Sequence, residues 1–169
     1  PENLKAVFVT HEHSDHISGI RVFASKFNIP VFAAPETMEE LRRTGTVNEK
    51  INGFEIDKSL EIGAFGVEAF RNSHDSSACL GYKFTMPDGR RISVCTDTGY
   101  VTDDAKKTLT GTDMVFLESN HEVSMLENSS YPYILKKRIL SARGHLSNFA
   151  AGEFIKELLL GGTTRFVLS

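Results

Sequence analysis

Residues 9–19, VTHEHSDHISG, place three of the chain's six histidines and one aspartate within six consecutive positions. An apolar run at residues 6–9 precedes them and apolar residues at helical spacing follow, which predicts a strand, a polar loop and a helix. Imidazole and carboxylate groups together suit Zn²⁺, with Mn²⁺ or Fe²⁺ as further candidates. A polar loop or helix cap is the alternative interpretation. Four ligand-type residues directly after a buried strand favour a metal site over that alternative.

The spacing within this loop divides its ligands into two pairs. His11 and His13 are two residues apart, so a loop that leaves a strand can direct both imidazoles to one ion. Asp15 and His16 follow at the start of the predicted helix, where they can reach a second ion. We therefore expect a centre with two divalent metal ions.

The composition is that of an ordinary globular protein. The 169 residues predict one domain, residues 1–169, with 40% hydrophobic and 24% charged residues and a net charge of −3. This charge argues only weakly against a nucleic-acid enzyme, because bound metal ions add positive charge where it matters. Cys79 and Cys95 are too few for a disulfide scaffold and predict a reduced, cytoplasmic protein. The sequence has no apolar run of about 20 residues, so we expect no membrane span.

Periodicity along the rest of the chain predicts strands interleaved with helices, the pattern of an α/β sandwich. An Asp-Gly pair at residues 88–89 is typical of a hairpin turn between two strands. Predicted strands cover residues 5–10, 31–34, 80–86, 91–95, 114–118 and 166–168, with further strands between 53 and 72. Predicted helices cover residues 17–27, 35–43, 102–109, 131–140 and 149–160.

Several predicted strands end in polar residues. His11, His74, Asp97 and Asn120 each lie just beyond the end of a strand. If these strands share one sheet, their ends gather the four side chains along one rim, where α/β folds commonly place active sites. Alone, His74 would be typical of a structural histidine and Asp97 of a turn residue that bonds the backbone. Beside the loop at residues 11–16, we interpret both as metal ligands.

These motifs, in this order, resemble the signature of the metallo-β-lactamase superfamily: His-x-His-x-Asp-His at residues 11–16, a strand-end His74, and Asp97 within CTDTG. The resemblance implies an αββα sandwich, here incomplete, with a two-metal centre at the rims of its sheets. The family's N-terminal strands and final histidine have no counterpart in residues 1–169, so we expect truncation at both ends, before Pro1 and after Ser169. The implied ligands are His11, His13 and His74 for one ion, Asp15 and His16 for the other, and Asp97 bridging both.

A narrower resemblance rests on three shorter motifs, SHDS at residues 73–76, ESNH at 118–121 and GHLSN at 144–148. They are similar to the YycJ/WalJ-like branch, which consists of bacterial metal-dependent hydrolases of the exonuclease type. The resemblance implies a metal-dependent phosphodiesterase that cleaves nucleic acid, with DNA favoured over RNA.

The charge of the expected centre also favours a phosphate substrate. Two divalent ions carry four positive charges, whereas Asp15, Asp97 and a bridging hydroxide carry three negative ones, which leaves about one positive charge for an anionic phosphodiester. In this interpretation the hydroxide attacks phosphorus while both ions stabilise the charge on the equatorial and leaving oxygens. The same centre could hydrolyse a small-molecule lactone, thioester or lactam, so an acyl hydrolase is the first alternative. A non-catalytic metal-binding domain is the second.

Further residues are assigned to catalysis and to the substrate. We expect Asp15 and His145 to take part in catalysis, His145 by protonating the leaving oxygen or by contacting phosphate. Asn120, His145 and Ser147 are expected to bind the substrate. The alternatives are that His145 is a loop residue and that Ser147 caps the helix that follows it. The basic group at residues 136–138 is interpreted as a solvated helix face rather than a nucleic-acid track.

Overall fold

The N-terminal part of the chain forms a parallel sheet whose connections are helical. This computed structural model describes residues 4–169, so the expectation about Pro1 lies outside the described residues. The first sheet has the order β1-β2-β3 and is parallel throughout, with β1 at Val7–Phe8, β2 at Val31–Ala33 and β3 at Gly53–Glu55. The connections contain α1 at Ser14–Ile17, α2 at Ile20–Phe27 and α3 at Pro35–Arg43.

A second sheet of six strands follows, and its spatial order is the order of the chain. Strands β4 to β7 pair antiparallel through short connections, and β7 to β9 pair in parallel, which requires longer crossovers. The strands are β4 at Ser59–Ile62, β5 at Phe65–Asn72, β6 at Cys79–Thr85, β7 at Arg91–Cys95, β8 at Met114–Leu117 and β9 at Arg165–Leu168. The crossovers contain α4 at Asp103–Leu109, α5 at Val123–Glu127, α6 at Tyr133–Ile139 and α7 at Asn148–Leu160.

The two sheets pack against each other face to face. On β2, Val31 and Ala33 pack with residues of α2 and α3, whereas Phe32 packs with residues of the second sheet. This alternation is the two-residue period of a strand that is covered on both faces. The ring centroids of Phe8 and Phe32 are 5.2 Å apart, and those of Phe8 and Tyr82 are 5.3 Å apart. Aromatic burial therefore joins β1 and β2 to β6.

Helices α4 and α7 cover the outer face of the second sheet. Leu109 of α4 and Phe154 of α7 pack with Cys95 and Leu117 in one buried cluster. The layer order is therefore helices, sheet, sheet, helices, which confirms the predicted αββα arrangement. Within residues 4–169, none of the helices combines the length and the apolar character that crossing a membrane requires.

The starts of α4 and α7 form as their sequences predict. Thr102 Oγ1 accepts a hydrogen bond from the backbone N–H of Ala105 at 3.1 Å, and Ser147 Oγ accepts one from Ala150 at 3.2 Å. Both bonds satisfy a backbone donor that has no partner within the helix.

The structure differs from the sequence prediction in three places. The predicted helix at residues 17–27 begins only at Ile20, as α2, and the short α1 before it shares only Ile17 with the prediction. Helix α5 is absent from the prediction, because it buries a single residue, Leu126, and so shows no periodic apolar pattern. The strands that end in polar residues do not share one sheet, since β1 lies in the first and β5, β7 and β8 in the second. Leu80 N–H nevertheless donates to the Thr10 carbonyl oxygen at 2.9 Å, so the ends of the two sheets meet.

We expect Gly144→Ala to lower the free energy of unfolding by about 1–3 kcal/mol, because an added methyl group would overlap the carbonyl oxygens of Arg138 and Ile139. The matched control is Gly152→Ala in α7, where an added Cβ has open space among the described residues. That change should raise the free energy of unfolding by about 0.5–1 kcal/mol. Urea unfolding measures both variants. Equal stability of the Gly144 variant and the parent chain would contradict the packing described here.

Candidate metal centre

Loops at the meeting ends of the two sheets bring five histidines and one aspartate together. Around His11, the ring centroids of His13, His16 and His74 lie at 4.4, 4.2 and 4.9 Å. The loop after β1 and helix α1 together supply three of the histidines, and the loops after β5 and β7 and before α7 supply one residue each. In that order, the six residues are His11, His13, His16, His74, Asp97 and His145.

Three groups of these side chains could each hold one ion, because within each group the potential ligand atoms all lie within 4.8 Å of one another. Every group shares members with the other two, so the three form one continuous centre. The first group is the set predicted for one of the two ions, and its ligand role stays a prediction. The groups are His11 with His13 and His74, His11 with His16 and Asp97, and His74 with Asp97 and His145.

Two buried imidazole nitrogens fit a metal ion at this place. Nε2 of His11 and Nε2 of His74 are buried without a hydrogen-bond partner in the described part of the chain, and Asp75 Oδ1 lies 3.4 Å from His74 Nε2. An unsatisfied buried polar atom costs about 1–3 kcal/mol. His74 Nδ1 lies 3.0 Å from the carbonyl oxygen of Gly144, which can only accept, so Nδ1 carries the proton and the Nε2 lone pair is free. A divalent ion would satisfy both nitrogens.

Burial also keeps these imidazoles neutral. It lowers the pKa of His11 to about 4, with the nearby His16 adding to the effect, and it lowers the pKa of His74 below its ordinary value. Neutral imidazole is the form that binds metal, so neither ring has to lose a proton at neutral pH before an ion binds.

Asp97 lies between two histidines on a strained stretch of backbone. Its φ is 57°, in the left-handed region that aspartate adopts more readily than most residues and that often marks functional sites. Its Oδ2 lies 3.6 Å from His16 Nε2, and its Oδ1 lies 3.7 Å from His145 Nδ1. The two carboxylate oxygens therefore face different histidines, and the bridging role of Asp97 stays a prediction.

Asp15 stands apart from the other predicted ligands. It lies in α1 with its side chain 80% exposed, and its Oδ2 is 3.6 Å from His16 Nε2. Among the described residues, the three ligand groups do not include it. Asp15 lines the pocket beside the centre, so it lies at the edge of the site.

An open pocket of about 350 Å³ leads to these side chains. Arg138 of α6 reaches it, and its Nε donates to Asp75 Oδ2 at 2.5 Å. This bond lowers the pKa of Asp75 to about 2. The sequence pattern misses this pair, because its members are 63 residues apart. A solvated helix face was predicted for residues 136–138, but Arg138 also lines the pocket. The pocket is lined by His13, Ser14, Asp15, His74, Asp97, Arg138 and His145.

His145 pairs with a buried glutamate, Glu118, which follows β8. The two side chains approach to 2.6 Å between His145 Nδ1 and Glu118 Oε1, and this bond raises the pKa of His145 above its ordinary value. Glu118 Oε2 also accepts the backbone N–H groups of Thr98 at 2.8 Å and Leu146 at 3.1 Å. The sequence signal for Glu118 is its position directly after a buried strand, where a carboxylate requires partners.

Asn120 and Ser147, the two remaining predicted site residues, lie outside this pocket. Asn120 is exposed, and its backbone N–H donates to the Leu146 carbonyl oxygen at 2.9 Å. Ser147 Oγ is engaged as the cap of α7. Their contact with a substrate stays a prediction.

Comparisons with known proteins agree with this arrangement. The profile of the beta-lactamase superfamily domain matches residues 1–168. Exodeoxyribonuclease WalJ of Streptococcus pneumoniae serotype 2 is 38% identical over 172 aligned residues, which cover 99% of this chain and 64% of that protein. Exodeoxyribonuclease YycJ of Bacillus anthracis is 36% identical over 170 residues, with the same two coverages of 99% and 64%. The chain therefore spans just under two thirds of the length of these relatives.

Among solved structures, the metallo-beta-lactamase fold protein YhfI from Bacillus subtilis is similar to the chain, with a TM-score of 0.73 at 20% sequence identity. The match covers 99% of this chain and 65% of that one. This likeness confirms the predicted sandwich type and concerns the fold alone.

Metal content should depend strongly on His11, because His11 belongs to two of the three groups. We expect the reconstituted protein to bind about one to two equivalents of Zn²⁺ or Mn²⁺ and His11→Ala to lose most of that metal. His121→Ala is the matched control, since His121 lies outside the three groups. Elemental analysis after gel filtration measures the metal, and circular dichroism checks the fold. A folded His11 variant with undiminished metal content would contradict the assignment.

Proposed function

The chain belongs to the beta-lactamase superfamily, and on this basis we propose that it is a metal-dependent phosphodiesterase of the nuclease type. The observation that carries the proposal is one pocket whose lining includes a member of each of the three candidate ligand groups, together with Arg138 and His145. Membership of the superfamily implies divalent metal ions at this centre. Because the chain spans 64% of the relatives named exodeoxyribonucleases, the activity of the whole protein is part of the proposal.

The metal ions in this proposal are Zn²⁺ or Mn²⁺, with Fe²⁺ as the third candidate, because the donors mix imidazole and carboxylate. When bound, they would supply Lewis-acid stabilisation of the negative charge on a phosphoryl group. The proposed ligands are His11, His13 and His74 for one ion, Asp15 and His16 for the other, and Asp97 for both.

Arg138 is proposed to contact a phosphate of the substrate. Two of its nitrogens donate to Asp75 at 2.5 and 3.1 Å, which fixes the guanidinium at the wall of the pocket. The side chain is still 51% exposed, so further N–H groups of its fork can reach an incoming phosphate. A planar fork of donors matches phosphate geometry better than a single ammonium does.

His145 is proposed to protonate the leaving oxygen. Glu118 holds Nδ1, which orients the ring, stabilises its protonated form and leaves Nε2 as the nitrogen that can donate. When the P–O bond breaks, the leaving oxygen takes the proton from Nε2, and a neutral imidazole remains bonded to Glu118. The ring centroid of His145 lies 5.0 Å from that of His74, so the donor lies beside the proposed ligands.

The proposed substrate is DNA rather than RNA, since both relatives described above are named exodeoxyribonucleases. Asn120 and Ser147 are proposed as further substrate contacts, from the loops that follow β8 and precede α7. The proposed place of action is the cytoplasm, where the free thiols of Cys79 and Cys95 stay reduced.

With Mn²⁺ or Zn²⁺ bound, the protein should shorten end-labelled DNA, and EDTA should abolish this activity because the centre then loses its ions. Denaturing gels compare single-stranded DNA, double-stranded DNA and RNA, and lactone and thioester hydrolysis is measured in parallel. Turnover confined to the lactone or thioester would contradict the proposal and favour an acyl hydrolase. Metal binding without turnover of any substrate would favour a non-catalytic metal-binding domain.

His145→Ala should lower kcat on DNA by about 10²- to 10⁴-fold, because the leaving alkoxide needs a proton. The same variant should lose far less activity on bis(4-nitrophenyl) phosphate, whose phenolate leaves without one. Steady-state kinetics on both substrates, at equal metal content, measures the difference. An equal loss on both would argue against His145 as the proton donor.

A further inference from the structure

A groove separate from the metal pocket runs along α6 and encloses about 690 Å³, within the range of roughly 300–1,000 Å³ that is usual for ligand sites. We propose that it binds a single-stranded nucleic-acid segment that continues from the substrate in the metal pocket, an inference that rests on the proposed nuclease function. The groove is lined by Glu127, Tyr131, Tyr133, Lys136, Lys137, Leu140 and Ser141.

Exposed aromatic rings supply the first argument. Tyr131 is 53% exposed and Tyr133 is 76% exposed, although large aromatic side chains normally bury most of their surface. Unstacked bases bind such rings by stacking, and the contact tolerates any base because every base has a π-face. Tyr133, Lys137 and Leu140 are spaced by four and three residues, so they share one face of the helix. This face therefore offers a stacking surface next to a cation.

Charge supplies the second argument. Lys136 and Lys137 bring two positive charges to the groove in a chain whose net charge is −3, against one carboxylate, Glu127. Lys136 Nζ donates to the backbone carbonyl oxygen of Glu127 at 2.7 Å, which holds that ammonium along the groove wall. Lys137 is exposed and forms no salt bridge with the residues that the structure describes. Ammonium groups beside aromatic rings are the combination that binds a single strand without regard to its sequence.

Continuity with the metal pocket supplies the third argument. Lys137 lines the groove, and the next residue, Arg138, lines the metal pocket, so α6 forms a wall of both cavities. The end of α6 is tied to the loop that carries the proposed proton donor, because His145 N–H donates to the Ile139 carbonyl oxygen at 3.0 Å. In this proposal, a strand with one phosphate at Arg138 continues along α6 past Lys137 towards Tyr133. A duplex keeps its bases paired and stacked, and only an unpaired strand can present them to the tyrosines.

Fluorescence anisotropy with a labelled oligothymidylate of about 15 nucleotides tests the proposal, in EDTA so that no cleavage occurs. Tyr133→Ala should weaken binding about 5- to 10-fold, and Tyr133→Phe, which keeps the ring, should retain affinity. Lys137→Ala should lower the salt dependence of log Kd by about 0.7, the contribution of one phosphate contact on a single strand. Lys107→Ala removes an exposed lysine of α4 and should change neither quantity.

The results of these binding and activity measurements distinguish failure of the groove proposal from failure of the nuclease proposal. Unchanged oligothymidylate affinity in both Tyr133→Ala and Lys137→Ala would overturn the groove, and so would an equal loss of affinity for a blunt duplex of the same length. Metal content of Tyr133→Ala at the level of the parent chain shows that the centre is intact. If the parent chain hydrolyses neither DNA nor bis(4-nitrophenyl) phosphate while its oligothymidylate binding depends on Tyr133, the groove is supported and the nuclease proposal fails.

Discussion

The lone pairs of two buried imidazoles constrain the functional end of this protein. Nε2 of His11 and Nε2 of His74 have no hydrogen-bond partner in residues 4–169, whereas the Nδ1 atoms of both rings do. The Thr10 hydroxyl lies 3.0 Å from Nδ1 of His11, and the Gly144 carbonyl oxygen lies 3.0 Å from Nδ1 of His74. Both rings also belong to groups of ligand-type side chains, so a cation there would satisfy two nitrogens that otherwise destabilise the folded state.

The two-sheet architecture explains how these rings meet. His11 follows a strand of the first sheet and His74 a strand of the second, so neither sheet alone forms the centre. Packing between the sheets sets the distance between the rings, and two hydrogen bonds across the sheet ends fix it further. Leu80 N–H donates to the Thr10 carbonyl oxygen at 2.9 Å, and the Tyr82 hydroxyl donates to the Val9 carbonyl oxygen at 2.6 Å. Substitutions in the core between the two sheets should therefore alter the distance between these rings, although the substituted residues lie outside the metal centre.

Local sequence pattern predicted most of the elements and the first ligand loop. The loop at residues 11–16 is recognisable because its ligands are close together in the sequence and follow an apolar strand. Glu12, which lies between the first two histidines of this loop, accepts the Ser77 N–H at 2.6 Å. The loop also shows which end of its strand carries the metal site. His74 and Asp97 could therefore be proposed as partners, because each lies just after the end of a predicted strand.

Interactions between residues that are distant in the sequence could not be predicted from local sequence pattern. The Asp75–Arg138 pair spans 63 residues and the Glu118–His145 pair 27, and no local period links their members. The assumption of one shared sheet failed for a related reason, since strand pairing depends on packing that spacing does not encode. The basic residues 136–138 suggested only a solvated face, and Tyr133 gave no signal, because an exposed face has no burial pattern. Their proposed role depends on the metal pocket, which α6 also lines.

Anomalous diffraction from crystals of the metal-loaded protein, recorded on both sides of the Zn or Mn absorption edge, tests the central claim most directly. We expect a metal peak within about 2.0–2.2 Å of the Nε2 atoms of both His11 and His74. A metal-loaded crystal in which those two nitrogens bind water or protein, with the ion elsewhere, would contradict it.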